Sequence, residues 1–441
     1  MGISAEKRSF ASDNIETGGS WQDGKLGSVE LRDYLPVRER HALALNMDYR
    51  PDANQQTSLR YFLSDFSDDE VRDRLTFSNF ASGTLAENAS TSARAERRLR
   101  QRKYTQTLQS LNIASEWKFG DNWLKIAAAG SRASEDTPES INDARFRGTA
   151  NFSGISFTNT EQPRISAPEA VYSPASYALN SITLQQRYSS DRIQQFQTDF
   201  RKTLQAGDSD ISLQAGFKFS RRDKDNDTNQ WAYNSSKSTS PNYWGAGSVS
   251  LADFTGGMLD YPVGRIGAGI NPDLIRARVA GLNRDAAKLV NESAINDYRM
   301  QENLDAAYLQ VSWDRHAWHL TAGSRLERTR FSASGNQISG AQITGLQKQH
   351  DYQNWLPSVH ARYDFDQQTS LRAAWTSALV RANFSQLAPG TNLISNTEAQ
   401  IGNPDLQAMT ARGLDLGIEK LLAHDGVVSA YLFHKIGRAH V

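Results

Sequence analysis

Leu43, Leu45, Met47 and Tyr49 alternate along the chain with Ala44, Asn46, Asp48 and Arg50. Successive strand side chains point to opposite faces, so this alternation predicts a strand with one apolar and one small or polar face. The pattern recurs in Leu111, Ile113, Trp117 and Phe119, and again in Ile211, Leu213, Ala215, Phe217 and Phe219. Ala307, Leu309, Val311 and Trp313 repeat it, as do Leu414, Leu416 and Ile418. Between them stand Asn112, Glu116, Lys118, Gln214, Lys218, Gln310, Asp415 and Glu419. A soluble sandwich also alternates, so the period alone leaves two architectures open.

The connections separate them. Short polar turns are predicted at 51–56, 120–122, 205–210, 314–317, 366–369 and 423–426, and long connections at 81–97, 222–299, 335–349 and 390–410. Short turns on one rim and long loops on the other are the habit of membrane barrels. Aromatics crowd the short-turn side: Tyr49, Phe119, Trp123, Trp313, Trp318 and Phe365. These are the candidate membrane-interface residues, because such rings are apolar at one end and polar at the other. The alternative is ordinary packing at hairpin ends.

Residues 57–80 read as one extended run. At ~3.3 Å per residue it reaches roughly 80 Å, beyond a ~25 Å apolar band even when tilted, so its charged half is expected above the bilayer. Pro36 and Pro357 interrupt strand-like runs and are expected at a bulge or above the bilayer. Residues 144–158 fit a membrane hairpin or a decorated loop equally well. Within 222–299, Asn271 can cap a helix opened by Pro272 and Asp273, with Leu274, Val279, Leu282 and Leu289 on its apolar side.

Composition sharpens this picture. Lys plus Arg and Asp plus Glu each total 49 in 441 residues, which argues against nucleic acid as a partner. There is no cysteine, hence no disulfide or thiol chemistry. Mean hydropathy is −0.60, yet Trp, Tyr and Phe number 9, 15 and 18. Disordered chains lack such aromatics. No apolar run approaches the ~18 residues of a membrane helix, whereas alternating barrel strands never look hydrophobic on average.

Candidate chemistry is sparse. His316 and His319 flank a short turn without a third ligand nearby. Gly264, Gly267 and Gly269 lack the Lys-Ser/Thr of a phosphate loop, and no Gly-x-Ser-x-Gly elbow exists. No enzyme, cofactor or metal site is expected. In the long loop Trp231, Tyr233, Tyr243 and Trp244 offer flat faces for a ligand, and Arg221 and Arg222 at its start suit an anion. Packing within the loop, and a solvated rim, are the plain alternatives.

Motifs in the second half resemble the barrel of TonB-dependent receptors. They are Trp355-Leu356-Pro357-Ser358-Val359, Leu371-Arg372-Ala373-Ala374-Trp375-Thr376 and Arg381-Ala382-Asn383-Phe384-Ser385-Gln386-Leu387. Gly402-Asn403-Pro404-Asp405-Leu406 follows, then Leu414-Asp415-Leu416-Gly417-Ile418-Glu419. Ala382 and Ala408 stand where the family commonly has proline. The resemblance covers roughly 1–435 and is specific between about 300 and 435.

It implies an all-β antiparallel transmembrane β-barrel, partial, with about 13–14 of an expected 22 strands and long extracellular loops. Residues 1–435 are expected to be the barrel fragment, 223–299 a long extracellular loop within it, and 436–441 a non-native tail that matches one frame of a common sequencing adapter. The implied role is energy-coupled uptake of a scarce large nutrient (siderophore-iron, cobalamin or oligosaccharide) across the bacterial outer membrane. The implied partners are outer-membrane lipid, the nutrient, and a TonB-type energy-coupling protein acting through a plug for which 1–28 is too short. A plug-less porin or channel, and a surface β-protein with an adhesin or scaffold role, are the alternatives.

Overall fold

The computed structural model describes residues 1–441 except 18, 238, 241, 245–248, 394–398, 423–425 and 439–441. Eighteen strands hydrogen-bond into one sheet. Thirteen of them form a consecutive antiparallel meander, and the other five are short loop pieces. The meander runs β1 (Gly2–Ser9), β2 (Val29–Asp52), β3 (Gln55–Ser78), β4 (Ser90–Phe119), β5 (Asn122–Gly148), β6 (Tyr177–Ala206) and β7 (Ser209–Tyr233). It continues through β8 (Tyr298–Arg315), β9 (Trp318–Ser339), β10 (Gln342–Asp364), β11 (Thr369–Val380), β12 (Met409–Leu421) and β13 (Val427–Arg438).

Exposure follows the alternation with its usual sense inverted. Leu213, Ala215 and Phe217 are exposed, while Ser212, Gln214 and Gly216 are half-buried. Ala307, Leu309 and Val311 are exposed beside half-buried Tyr308, Gln310 and Ser312. Leu414, Leu416 and Ile418 behave alike. Registers join these residues face to face: Leu213 is opposite Val311, and Leu45 is opposite Tyr61, which is opposite Leu111. A greasy exposed belt with a polar opposite face is the arrangement lipid demands. On β2 to β4 the belt ends at Leu43, Leu63 and Leu111, because the next residues on that face are His41, Asp65 and Gln109.

The short turns at 53–54, 120–121, 207–208, 316–317 and 365–368 fall on one rim, and of the turn expected at 423–426, residues 423–425 lie outside the described residues. On the other rim 10–28, 79–89, 149–176, 234–297 and 381–408 are long. The expected long connection at 335–349 is absent. There β9 and β10 continue as a polar ribbon to a hairpin turn at Gly340 and Ala341, with Gly340 at φ +59. A ribbon clear of lipid has no greasy face, so its strands look like loop in the sequence. Strand β7 likewise runs on to Tyr233, and the loop after it starts at residue 234.

Residues 152–158 form an extracellular strand that pairs with Ser90–Ala93 and with Arg164–Ser166, outside the belt. Pro36 needs no bulge. Its carbonyl accepts from Phe10 N, so its missing N–H falls on the side where the β1 ladder has ended at Ser9 and Val37. Pro357 corrects the expectation more plainly, since it is paired in register with Ser324 at belt level. It is tolerated because the β10–β11 ladder begins only at Val359 and Trp375.

Above the polar residues that end the belt, the outward face of β2 to β7 carries a second apolar patch, and the long loops cover it. Leu31, Leu75, Phe77, Leu99 and Phe146 pack there with Phe254, Tyr261, Ile266 and Ile270 of the 234–297 loop. The helix Pro272–Ala280 belongs to this layer, with the Asn271 side chain accepting from Asp273 N. It buries Ile275 and Val279 and leaves Leu274 exposed, which shifts the expected apolar side by one residue.

Candidate functional site

The inner face of β2 to β5, opposite the lipid belt and above it, carries rows of arginine. Arg32 is opposite Arg74, Arg74 opposite Arg98, and Arg98 opposite Arg145. The next row places Arg72 opposite Arg100, and the one below sets Glu70 opposite Arg102. Further down, Arg38 faces Asp68, and Asp68 faces Tyr104. Like charges directly opposite destabilise a sheet, so this wall requires compensation.

Carboxylates supply part of it. Asp143 accepts from Arg98 Nε at 2.9 Å and from Arg74 Nη2 at 2.9 Å. Glu30 accepts from Arg32 Nη2 at 2.5 Å, Asp68 accepts from Arg38 Nε at 2.8 Å, and Glu70 lies 3.1 Å from Arg102 Nε. Arg147 donates to Glu96 at 2.9 Å. The Arg72 side chain has no hydrogen bond or ion pair among the described residues, and its buried Nε has no acceptor. Burial, then Arg32 and Arg100, lowers its pKa. Burial, then Arg98, brings Arg74 down to about 10. The wall thus carries surplus positive charge with unused N–H donors, in the part of the strands outside the membrane. Beside it lies a groove of about 570 Å³ lined by Phe66, Gln106, Glu135, Arg187, Asp191 and Lys224, among others. Arginine forks in such a setting suit carboxylate or phosphate groups.

The residues singled out from sequence are dispersed. Trp231, Tyr233 and Trp244 are 7%, 1% and 7% exposed and belong to the core of the loop layer, where Arg284 stacks on Trp231. Tyr243 is half-buried. Arg221 pairs with Asp223 on its own strand at 2.9 Å. Arg222 pairs with Asp191 and lies over the Phe384 ring, 4.2 Å from its centroid. Both arginines sit on β7 rather than in a loop.

Tyr49, Phe119, Trp313, Trp318 and Phe365 share the face of the belt at the short-turn rim. Trp318, Tyr363 and Phe365 stack there, with centroids 4.7 and 4.9 Å apart. Trp123 lies on the other face, opposite Lys118 and under Arg201. His319 meets Asp314 at 2.5 Å and Asp364 at 3.2 Å. Gly267, at φ +102, is a close approach: a Cβ there would lie 3.3 Å from Arg97 Nη1. The arginine wall has a legible signal in the sequence that the pattern of apolar positions does not bring out. Arg98, Arg100 and Arg102, like Arg72 and Arg74 inside the predicted 57–80 run, recur at period two, but one strand alone does not show which arginines a register sets opposite each other.

The profile of the family described as "TonB dependent receptor-like, beta-barrel" matches residues 136–435. No curated protein matches the sequence. Among solved structures, the chain is similar to the ferric-catecholate import receptor Fiu from E. coli K12 in its closed form. Identity is 11% and the TM-score 0.45, over 98% of this chain and 57% of that one. The siderophore receptor PiuA from Acinetobacter baumannii gives 9% identity and a TM-score of 0.41, over 96% and 57%. The unliganded ferric citrate transporter FecA gives 12% and 0.42, over 98% and 51%. The chain therefore spans a little over half the length of these solved proteins. The family profile covers most of the residues in the meander, and the chain belongs to the TonB-dependent receptor-like β-barrel family.

Proposed function

We propose that this barrel is part of an outer-membrane receptor that imports a scarce, large and anionic nutrient, with energy supplied by a TonB-type partner. The arginine wall carries the anionic part of this reading. Its in-register rows leave the Arg72 side chain without an ion-pair partner among the described residues, and an oxyanion seated between Arg72 and Arg100 would relieve their repulsion. Carboxylate-bearing metal chelates have that chemistry, and neutral oligosaccharides lack it. The family supports the transport role, and the charged vestibule supports attraction of cargo from outside.

The test uses cells that bear the whole receptor. A radiolabelled ferric polycarboxylate is the anionic probe and a neutral maltooligosaccharide the control. Binding of the chelate is expected to fall about tenfold or more in Arg72→Gln/Arg100→Gln, since a charge-assisted hydrogen bond is worth about 1.5–3 kcal/mol. It is also expected to weaken with salt. Uptake should stop with a protonophore while binding persists. Tight salt-independent binding of the neutral sugar would contradict the anionic reading, and uptake indifferent to the protonophore would contradict energy coupling.

A further inference from the structure

Asp13, Asp33 and Asp73 stand side by side on the outward face, above the belt. Asp33 is opposite Asp73 in the β2–β3 ladder. Asn14 is opposite Arg32, which brings Asp13 beside Asp33. Asp33 and Asp73 are 2% and 4% exposed. Oδ1 of Asp33 and Oδ1 of Asp13 are buried with no donor. Neighbouring buried carboxylates cannot both stay ionised without donors or cations.

The compensation present is small. Arg97 is wholly buried, and its Nη2 lies 3.8 Å from Asp73 Oδ1. Its guanidinium also donates to the carbonyls of Ile266 at 3.0 Å and Ala268 at 2.5 Å. Those carbonyls belong to the 234–297 loop, which lies over the row. The same loop gives the Ile270 N–H to Asp73 at 3.0 Å and the Tyr261 hydroxyl to Asn14 O at 2.7 Å. It also adds a fourth carboxylate, Asp260, which acts on Asp13 and Asp33. The titratable and charged groups meeting here are Asp13 from the N-terminal segment, Asp33 from β2, Asp73 from β3 and Arg97 from β4. Arg74 from β3, which also acts on Asp73, Tyr177 from β6, beside Arg97, and Asp260 and Tyr261 from the loop complete the set.

We propose that this carboxylate row is a proton-sensitive latch, which holds loop residues 255–270 on the sheet while the row is protonated and loosens them when it ionises. Burial, then Asp13, raises Asp33 to about 6, and burial raises Asp73 to about 7 against the pull of Arg97. Both values lie above the ordinary carboxylate range, so the docked loop binds more protons than the undocked one. Docking stability from this source is complete below about pH 4 and is lost as pH rises through about 6 and 7. The latch is independent of which nutrient passes.

Labelling on cells bearing the whole receptor tests it. In a receptor whose only cysteine is the one introduced, Ile266→Cys, buried on the sheet-facing side of the loop, reports release, and Met258→Cys, 71% exposed, corrects for thiol ionisation. The maleimide labelling ratio of the two is expected to rise about tenfold or more between about pH 5 and pH 8.5, because each pKa unit of difference is a factor of ten. Asp33→Asn with Asp73→Asn should keep the ratio low at both pH values. A flat ratio in the parent, or an undiminished rise in the double variant, overturns the latch. If the double variant fails to reach the membrane, Asp33→Asn alone should reduce the rise, and an unchanged rise overturns the proposal equally.

Discussion

Gly216 and Tyr308 are opposite each other on β7 and β8, and the phenol ring lies over the glycine on the inner face. The Tyr308 hydroxyl donates to Asp199 at 2.7 Å and is in turn met by Gln214. A Cβ on Gly216 would overlap the ring and come within 2.5 Å of Asp199 Oδ1 and 2.9 Å of the Thr198 carbonyl. The carbonyl cannot move aside, so the overlap cannot be relieved by one rotamer change. Gly417 and Tyr431 repeat the device on β12 and β13, where the Tyr431 hydroxyl donates to Glu419. An aromatic laid over a cross-strand glycine pins register. Gly216→Ala is expected to destabilise the folded barrel by roughly 1–3 kcal/mol, as overpacking does. Gly130→Ala, whose Cβ would meet nothing within 4 Å, should stay within about 0.5 kcal/mol of the parent. The midpoint of heat-modifiable migration in detergent gels measures both. Equal midpoints for the two variants would mean that the ring does not fix the register.

At the scale of the strand, exposed residues are apolar and their neighbours polar only over the belt. Leu309 is 60% exposed, whereas Gln310 beside it is half-buried and faces inward. Leu309→Arg is expected to cost ~2–4 kcal/mol if it meets the bilayer midplane, while Gln310→Arg faces water and should be tolerated. The yield of heat-modifiable receptor distinguishes them, and equal losses would count against a lipid-facing β8. This same contrast explains what the sequence made legible. Period two was clear wherever lipid enforces one greasy face, as at 211–219 and 307–313. It faded where strands leave the bilayer, so 335–349 and the start of β4 looked like loop although their ladders are continuous. Arg72 and Arg74 lie in the run predicted at 57–80 and Arg98 just beyond a stretch that looks like loop, and the meaning of these rows depends on registers such as Arg74 with Arg98 that no single strand reveals. Trp231 and Trp244 were legible as loop-layer aromatics, but not that the layer would bury them.

For the whole molecule, consecutive pairing carries the sheet from β1 to β13, and no register joins those two strands among the described residues. Both are exposed along their length. The meander thus presents two strand edges, in a chain a little over half the length of the solved receptors it is similar to. One surface of this sheet meets lipid below and a folded loop layer above, and the other forms a charged wall around the lumen. That division of the two faces underlies the vestibule, the latch and the glycine–tyrosine pairs alike.

Its most direct test is spin-label accessibility along β7 in outer-membrane vesicles, with single cysteines placed in turn from Ile211 to Lys218. Gly216 is passed over because Tyr308 fills its side-chain space; oxygen, which concentrates in lipid, should reach labels at 211, 213, 215 and 217, and a water-soluble nickel complex those at 212, 214 and 218. Accessibility that does not alternate, or that alternates in the opposite sense, would contradict the assignment of lipid and lumen to these two faces.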